Sequence, residues 1–321
     1  MTGLDPSRES AENYRAFARL EAAGRSPAYE VLANAVAGDD VVLDFLSALP
    51  ALKRQPNLLF AAARSLLEDV PDIRGLRDLV RQRGADLSAV ILARRTQTNE
   101  VGRCATLLPA LARLPGPLAL IEVGASAGLA LLMDRYSYDY DGHVLHGSGG
   151  AGPLLHCHAE GGVPIPDRVP RVVWRAGLDL NPLDVMDDDD VAWLQCLVWP
   201  GQVEREERLL AAIEVARSDP PEVTRGDLLV DLPALVAQAP GDSTVVVFHS
   251  AVLAYVDLPK RRAFADLIHD LGVQWLSNED ARVLPNIDLP THDGAPFVLV
   301  ENGSKAVAFT HPHGDWIRWL D

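Results

Sequence analysis

The chain has 321 residues, 48% of them apolar, and a formal net charge of −16. It is long enough for one large domain or two smaller ones and apolar enough for a sizeable core, while its acidity argues against nonspecific binding to DNA, RNA or an anionic membrane, which needs clustered Lys and Arg. Three scattered cysteines, Cys104, Cys157 and Cys196, lack Cys-x-x-Cys spacing, and neither a leader-type start nor an apolar run of spanning length is present, so the expectation is a soluble cytoplasmic protein with free thiols.

From about Ser7 to Leu114, apolar residues recur at helical spacing: Tyr14, Phe17 and Leu20, then Val41, Phe45, Leu46 and Leu49, then Leu58, Leu59, Ala62 and Leu66, and later Val101, Cys104, Leu108 and Leu111. Breaks fall at Ser26-Pro27, Gly38-Asp39, Pro56-Asn57, Pro71-Asp72 and Gly84-Ala85-Asp86. Residues 1–115 therefore read as an N-terminal helical domain or cap. Its last part, Arg95 to Arg103, is unusually polar. Gln97, Asn99, Glu100 and Arg103 are candidates to overhang a crevice and touch substrate; the plainer alternative is a helix start with Thr98 or Asn99 as cap and Glu100 in the first turn.

Leu118-Ala-Leu-Ile-Glu-Val-Gly-Ala-Ser-Ala-Gly-Leu-Ala-Leu-Leu132 is an apolar run, a small-residue turn and a second apolar run, which reads as strand, tight turn and helix. With almost no side chain at the bend, a ligand can approach the backbone and the free N–H groups of the following helix start. Glu122 stands at the strand end. Tyr136, Tyr138 and Tyr140 then alternate with Ser137 and Asp139, a strand pattern. Residues from about 136 to 170 read as an insertion, a hairpin or active-site loop rich in Gly, Pro and His. His156, Cys157 and His158 invite a metal reading, but no third ligand has recognisable spacing, so no metal is expected.

Arg171 to Leu180 reads as a second sheet strand ending at Asp179, stopped by Asn181-Pro182. The Asp187–Asp190 run precedes a helix whose dipole it favours. Val203–Arg217 is another helix, and Glu222–Asp227 a short strand ending in Gly226-Asp227. Thr244-Val-Val-Val-Phe-His-Ser250 is the plainest buried strand, closing on His249 and Ser250. A helix from Pro259 to Leu271, a strand from Val273 to Leu276 and a hairpin from Phe297 to Thr310 with Asn302-Gly303 at its turn complete the pattern.

Glu122-x-Gly124-x-Ser126-x-Gly128 resembles the first motif of class I S-adenosylmethionine-dependent methyltransferases, with Ser126 in the place of the middle glycine. Five strands alternating with helices and then an antiparallel hairpin follow the order of that superfamily. The resemblance implies an α/β fold: a Rossmann-like class I methyltransferase sheet over 116–321, parallel strands plus the C-terminal hairpin, behind the helical domain. It further implies S-adenosylmethionine as cofactor, held by Glu122, Gly124, Ala125, Ser126, Gly128, Asp179, Gly226 and Asp227. Asp179 lies farther from the turn than the usual ribose-binding acid, and Asp139 and Asp141 are its rivals. His249, ending the fourth strand, is the first candidate for a base, His311 and His313 the next, and Ser250 a substrate contact. A histidine held only for structure is the competing reading for each. No Asn-Pro-Pro-Tyr-type motif follows the fourth strand, so a small polar metabolite, rather than a DNA base, is the expected methyl acceptor. Through Gln97-Thr-Asn-Glu100, Val123-Gly-Ala-Ser-Ala-Gly128 and Asp179-Leu-Asn-Pro-Leu-Asp184, the whole sequence also resembles an uncharacterised bacterial family, domain of unknown function 2332, which supplies a fold expectation but no known reaction.

Two other readings stand beside this one. Gly124-x-Ser126-x-Gly128 also spells the nucleophile elbow of α/β-hydrolases, which would use Ser126 with Asp227 or Asp257 and His311 or His313, but no sheet precedes it. A protein of the same fold that binds ligand without methyl transfer is the third.

Overall fold

Prolines and capping carboxylates divide the first hundred residues into helices. The computed structural model describes residues 5–320 apart from 98, 149, 151, 284–286, 288, 290, 293 and 295. Helix α1 (Pro6–Phe17) starts on Asp5, whose carboxylate accepts from the Ser7 N–H, with proline in the first turn where no donor is needed. Helices α2 (Pro27–Val36) and α4 (Pro56–Leu67) also begin on proline; α3 (Asp40–Ser47) is capped by Asp39 and α5 (Ile73–Ala93) by Asp72. The break expected at Gly84 is only a kink: Arg83 leaves helical geometry (φ −134°, ψ 31°) and the helix resumes. Tyr14, Phe17, Tyr29 and Phe60 pack with Trp199, in edge-on and tilted ring pairs, as the aromatic centre of this helical unit.

The compact units divide the chain as Met1–Thr98 with Asp188–Glu206, and Asn99–Asp187 with Glu207–Asp321. The helix Asp188–Leu197 thus joins the helical unit, where Arg94 pairs with Asp190 and Arg64 donates to the Cys196 carbonyl at 3.0 Å. Helix α6 (Arg103–Leu111), assigned by its sequence position to the helical domain, belongs instead to the second unit.

That second unit is built on strands β1 (Leu118–Val123), β2 (Ser137–Tyr140), β3 (His143–Leu145), β4 (Leu154–His156), β5 (His158–Glu160) and β6 (Val172–Asp179). They are followed by β7 (Val223–Arg225), β8 (Thr244–Ser250), β9 (Gln274–Asp280), β10 (Phe297–Glu301), β11 (Lys305–Thr310) and β12 (Trp316–Trp319). Nine strands form one mostly parallel sheet in the order β5-β12-β11-β10-β9-β8-β1-β6-β7, and β3-β2-β4 form a small second sheet. The pairs β7-β6, β6-β1, β1-β8 and β8-β9 are parallel; β9-β10, β10-β11 and β11-β12 are antiparallel. Ile121, Val123, Val247 and Trp275 share one face, covered by Phe264 and Ile268 of the helix Leu258–Leu271.

Three elements differ from expectation. Leu129–Arg135, read as a helix, forms short 3-10 turns. Side chains take the carbonyls that a continuous helix would use: the Tyr136 hydroxyl donates to Leu129, Tyr138 to Met133 and Arg175 to Leu131. Strand β9 runs through Ser277, Asn278 and Glu279 because β10 pairs with it along this length. The stretch 136–170 is only partly an insertion: β2–β4 make the small sheet, whereas β5 crosses to the far edge and pairs in parallel with β12.

Candidate functional site

Chain connections leave β1 in both directions, to β6 and β7 on one side and to β8 and β9 on the other. In such sheets the crevice opens at the carboxyl end of the strand where the order reverses. Here that end carries the small-residue turn, in which Gly124 (φ 72°), Ser126 (φ 53°) and Gly128 (φ 70°) all take left-handed geometry. The two glycines are also sterically required: a Cβ on Gly124 would lie 2.4 Å from Val252 Cγ2, and one on Gly128 would lie 2.8 Å from Pro221 Cγ. The turn is wedged between the segment after β8 and the start of β7.

Its amides are not open, contrary to expectation. Gly124 and Ala125 donate to the Leu178 carbonyl (2.8 and 3.3 Å), Ser126 to Asp179 Oδ2 (2.8 Å), Ala127 to Asn99 Oδ1 (3.3 Å) and Gly128 to the Ala125 carbonyl (2.7 Å). Asn99 Nδ2 also donates to Ser126 Oγ at 2.6 Å. Asp179 and Asn99, read as ligand contacts, therefore organise the turn itself; Asp179 additionally accepts from the Asn181 N–H at 2.7 Å. Asp179 still stands beside the turn, half-buried, whereas its rivals Asp139 and Asp141 sit on the small sheet, paired with His156 (3.2 Å) and His158 (2.8 Å). Gly226 lies close under Asp231, whose Oδ2 would be 2.6 Å from an added Cβ and accepts the Asp227 N–H at 2.7 Å. Asp227 Oδ1 accepts from the Leu229 N–H in a tight turn, and the helix begins only at Leu232.

Glu122 is buried on the sheet face opposite Ile121 and Val123 and makes no hydrogen bond with any described residue; its Oε2 is fully enclosed. Burial first, and then the Asp179 carboxylate, push its carboxyl well above the usual range, while Arg103 acts in the opposite sense. Arg103 donates to the carbonyls of Pro312 (2.7 Å) and Ser250 (3.2 Å) and lies over the Phe297 ring. It thus ties the start of α6 to the end of β8 and to the turn after β11. Gly102 and Gly314 permit this approach, since a Cβ on Gly314 would lie 2.1 Å from the Gly102 carbonyl carbon. The same contact brings Glu100 to His313: Glu100 Oε1 accepts from the Gly102 N–H (3.2 Å) and Arg208 (3.4 Å), and its Oε2 lies 3.3 Å from His313 Nδ1. His311 Nδ1 lies 3.0 Å from Asp315 Oδ2, and this hydrogen bond is the main influence holding the Asp315 carboxyl below its usual range.

His249, the first candidate for a base, is fully buried with both ring nitrogens engaged. Trp275 Nε1 can only donate, so Nε2 of His249 accepts from it (3.0 Å), and Nδ1 carries the proton given to Glu279 Oε1 (2.7 Å). Its ring packs against Phe264 and Trp275 on the core face, which removes it from any substrate. Ser250 Oγ accepts from Asn278 Nδ2, and Asn278 Oδ1 accepts from Thr310. Gln97 belongs to the helical unit, and Thr98 lies outside the described residues. The esterase constellation is not assembled: among the described residues Ser126 Oγ is bonded to Asn99 and to no imidazole, His311 turns to Asp315, and Asp257 caps a helix through the Lys260 N–H.

Sequence reasoning missed Glu279, Asn278, Val252 and Arg208. The polar run Ser277-Asn-Glu279 following an apolar strand was the available signal for the first two. Among the described residues no group of three or more His, Cys, Asp or Glu is placed to hold a metal, and no helix is long and apolar enough to cross a membrane. No curated protein and no solved structure matches the chain. A family model described as "Uncharacterized protein conserved in bacteria (DUF2332)" matches residues 11–319, and the chain belongs to that family.

Proposed function

We propose that the chain binds S-adenosylmethionine at the carboxyl edge of the parallel strands and transfers its methyl group to a small polar metabolite, as an α/β protein of the class I methyltransferase type. The observation that carries this reading is the row of acids ending three adjacent parallel strands around a glycine turn: Glu122 on β1, Asp179 on β6 and Asp227 just beyond β7. Carboxylates accept hydrogen bonds from hydroxyls and attract cations, and they repel phosphate, so the edge suits a nucleoside bearing a cationic group. Asp179 accepts one backbone N–H on each oxygen, from Ser126 and Asn181, and keeps a lone pair on each for a pair of hydroxyls. Asp227 Oδ2 would take an exocyclic amine, and Glu122, without a hydrogen bond to any described residue, would face the cation. The bound sulfonium would supply a methyl carbon open to in-line displacement, for which the protein mainly aligns the acceptor and removes a proton. With His249 sealed in the core, His313 and His311 at the turn after β11 are the residues for that proton.

A second reading, ligand binding without transfer, is favoured by one observation: every amide of the turn is already paired. Calorimetry with S-adenosylmethionine and S-adenosylhomocysteine, on wild type and on Gly124→Arg, tests both. Binding abolished by Gly124→Arg in a folded variant supports the cofactor assignment, and bound donor without turnover over a panel of small acceptors favours the second reading. A folded wild type that binds neither molecule sinks the cofactor assignment.

A further inference from the structure

A carboxyl taken out of water and given no hydrogen bond is a costly arrangement in any protein. Glu122 Oε2 is buried without a partner among the described residues, and the side chain stands at the one point of the sheet where a crevice is expected. Its titratable and charged neighbours hydrogen-bond to other groups, and among them Arg103 favours the ionised form of Glu122 while Asp179 opposes it. From α6, Arg103 is held by the Pro312 and Ser250 carbonyls, and the Cys104 thiol lies 3.9 Å from the Ala130 carbonyl. Beyond the 3-10 turns, the Tyr136 hydroxyl donates to Leu129 at 2.6 Å. From β6, Asp179 brings a second negative charge, itself bonded to the amides of Ser126 and Asn181.

We propose that this crevice takes a cationic ligand group in exchange for the proton of Glu122. The inference rests on the site assigned above and specifies its ligand class and its control by pH. Without ligand, burial and Asp179 favour the protonated acid. A cation beside the carboxyl favours the ionised form: the Glu122 O–H bond breaks, its proton passes to the buffer, and the carboxylate pairs with the ligand's charge. Binding therefore tightens as the pH rises, by up to about tenfold per pH unit, until the midpoint of the unliganded carboxyl is passed.

Two measurements test this on the intact protein. Infrared difference spectra of wild type minus Glu122→Gln, without ligand at neutral pH, should contain the carbonyl band of a protonated carboxylic acid. Calorimetry in buffers of unequal ionisation enthalpy then counts protons. S-adenosylhomocysteine, which carries an ammonium group, should release close to one proton (about one at most, for one site) at a pH below the carboxyl's midpoint. Methylthioadenosine, which has no charged group, should release none, and Glu122→Gln should bind the first probe with no proton count. Absence of the acid band, or ammonium-probe binding without proton release, overturns the proposal. Should neither adenosyl probe bind, the cofactor assignment falls by itself, and methylammonium decides the exchange: loss of the acid band on its addition supports it, and persistence overturns it.

Discussion

Replacing Glu279 with alanine removes the acceptor of three donors at once, two of them buried and the Val252 N–H half-buried. Its Oε1 takes the His249 Nδ1–H at 2.7 Å, the Val252 N–H at 2.8 Å and the Leu253 N–H at 3.2 Å, and the side chain is fully enclosed. An unpaired buried donor costs about 1–3 kcal/mol, so the gross loss is about 3–9 kcal/mol. Part is offset, because the lost carboxylate was itself desolvated and its Oε2 had no partner among the described residues. The net expectation is about 3–5 kcal/mol, the range found when one member of a buried pair is deleted. Against a typical total of about 5–15 kcal/mol, that is a large share of the stability. Glu279→Gln keeps an acceptor oxygen of the same shape and should lose only about 1–2 kcal/mol. Urea unfolding monitored at Trp275, which bonds His249 directly, reads the local transition. The consequence reaches the crevice, since Val252 is the residue packed against Gly124. Glu279→Ala within about 1 kcal/mol of wild type would refute the view of this carboxylate as the strut behind the glycine turn.

Other substitutions test neighbouring parts. Gly124→Ala sets a Cβ 2.4 Å from Val252 Cγ2 at φ 72° and should cost about 2–4 kcal/mol, from left-handed strain plus overpacking; an unchanged thermal midpoint would contradict this. Asn99→Ala deletes both bonds that staple the turn, so the Ala127 amide should exchange with solvent faster while the sheet amides keep their protection; equal exchange would mean that Asn99 holds nothing. Between β5 and the turn after β2, His158 is raised from its ordinary 6.5 mainly by the Asp141 hydrogen bond, and Asp141 is lowered from 3.8 by the Ala159 N–H and His158. The histidine's contribution to stability is present below pH 6.5 and fades as the pH rises through its raised midpoint; that of Asp141 fades as the pH falls through its lowered one. Asp141→Asn should return the His158 midpoint toward 6.5 in an NMR titration, and no movement would dismiss the pair.

The parallel strands were legible because β-branched apolar runs such as Thr244–Phe248 leave little alternative, and the Asn302-Gly303 turn takes the two positive φ angles that its residues favour. The 3-10 turns were not legible, since Leu129–Met133 has good helix propensity and only the folded tyrosines and Arg175 compete for its carbonyls. In the site, Glu122 and Asp179 fell beside the turn as read. His249 did not fall in the crevice, and alternation alone explains it: two residues from Val247, it shares the core face. A strand's end tells which residues are near a crevice, and parity tells which face it. Asn99 and Glu279 depend on partners 26 or more residues away, which local patterns do not reveal.

The pairing of β5 with β12 has a consequence for synthesis. Arg318 meets Glu160 across 158 positions of chain, so β5 leaves the ribosome long before β12, its partner strand among the described residues, exists. At about 5–20 residues per second the wait is roughly 8–30 s, during which β5 is without its β12 ladder and keeps the bonds of His158 and Ala159 to Asp141. The pairing also covers the β12 edge that would otherwise stay open to a neighbouring chain.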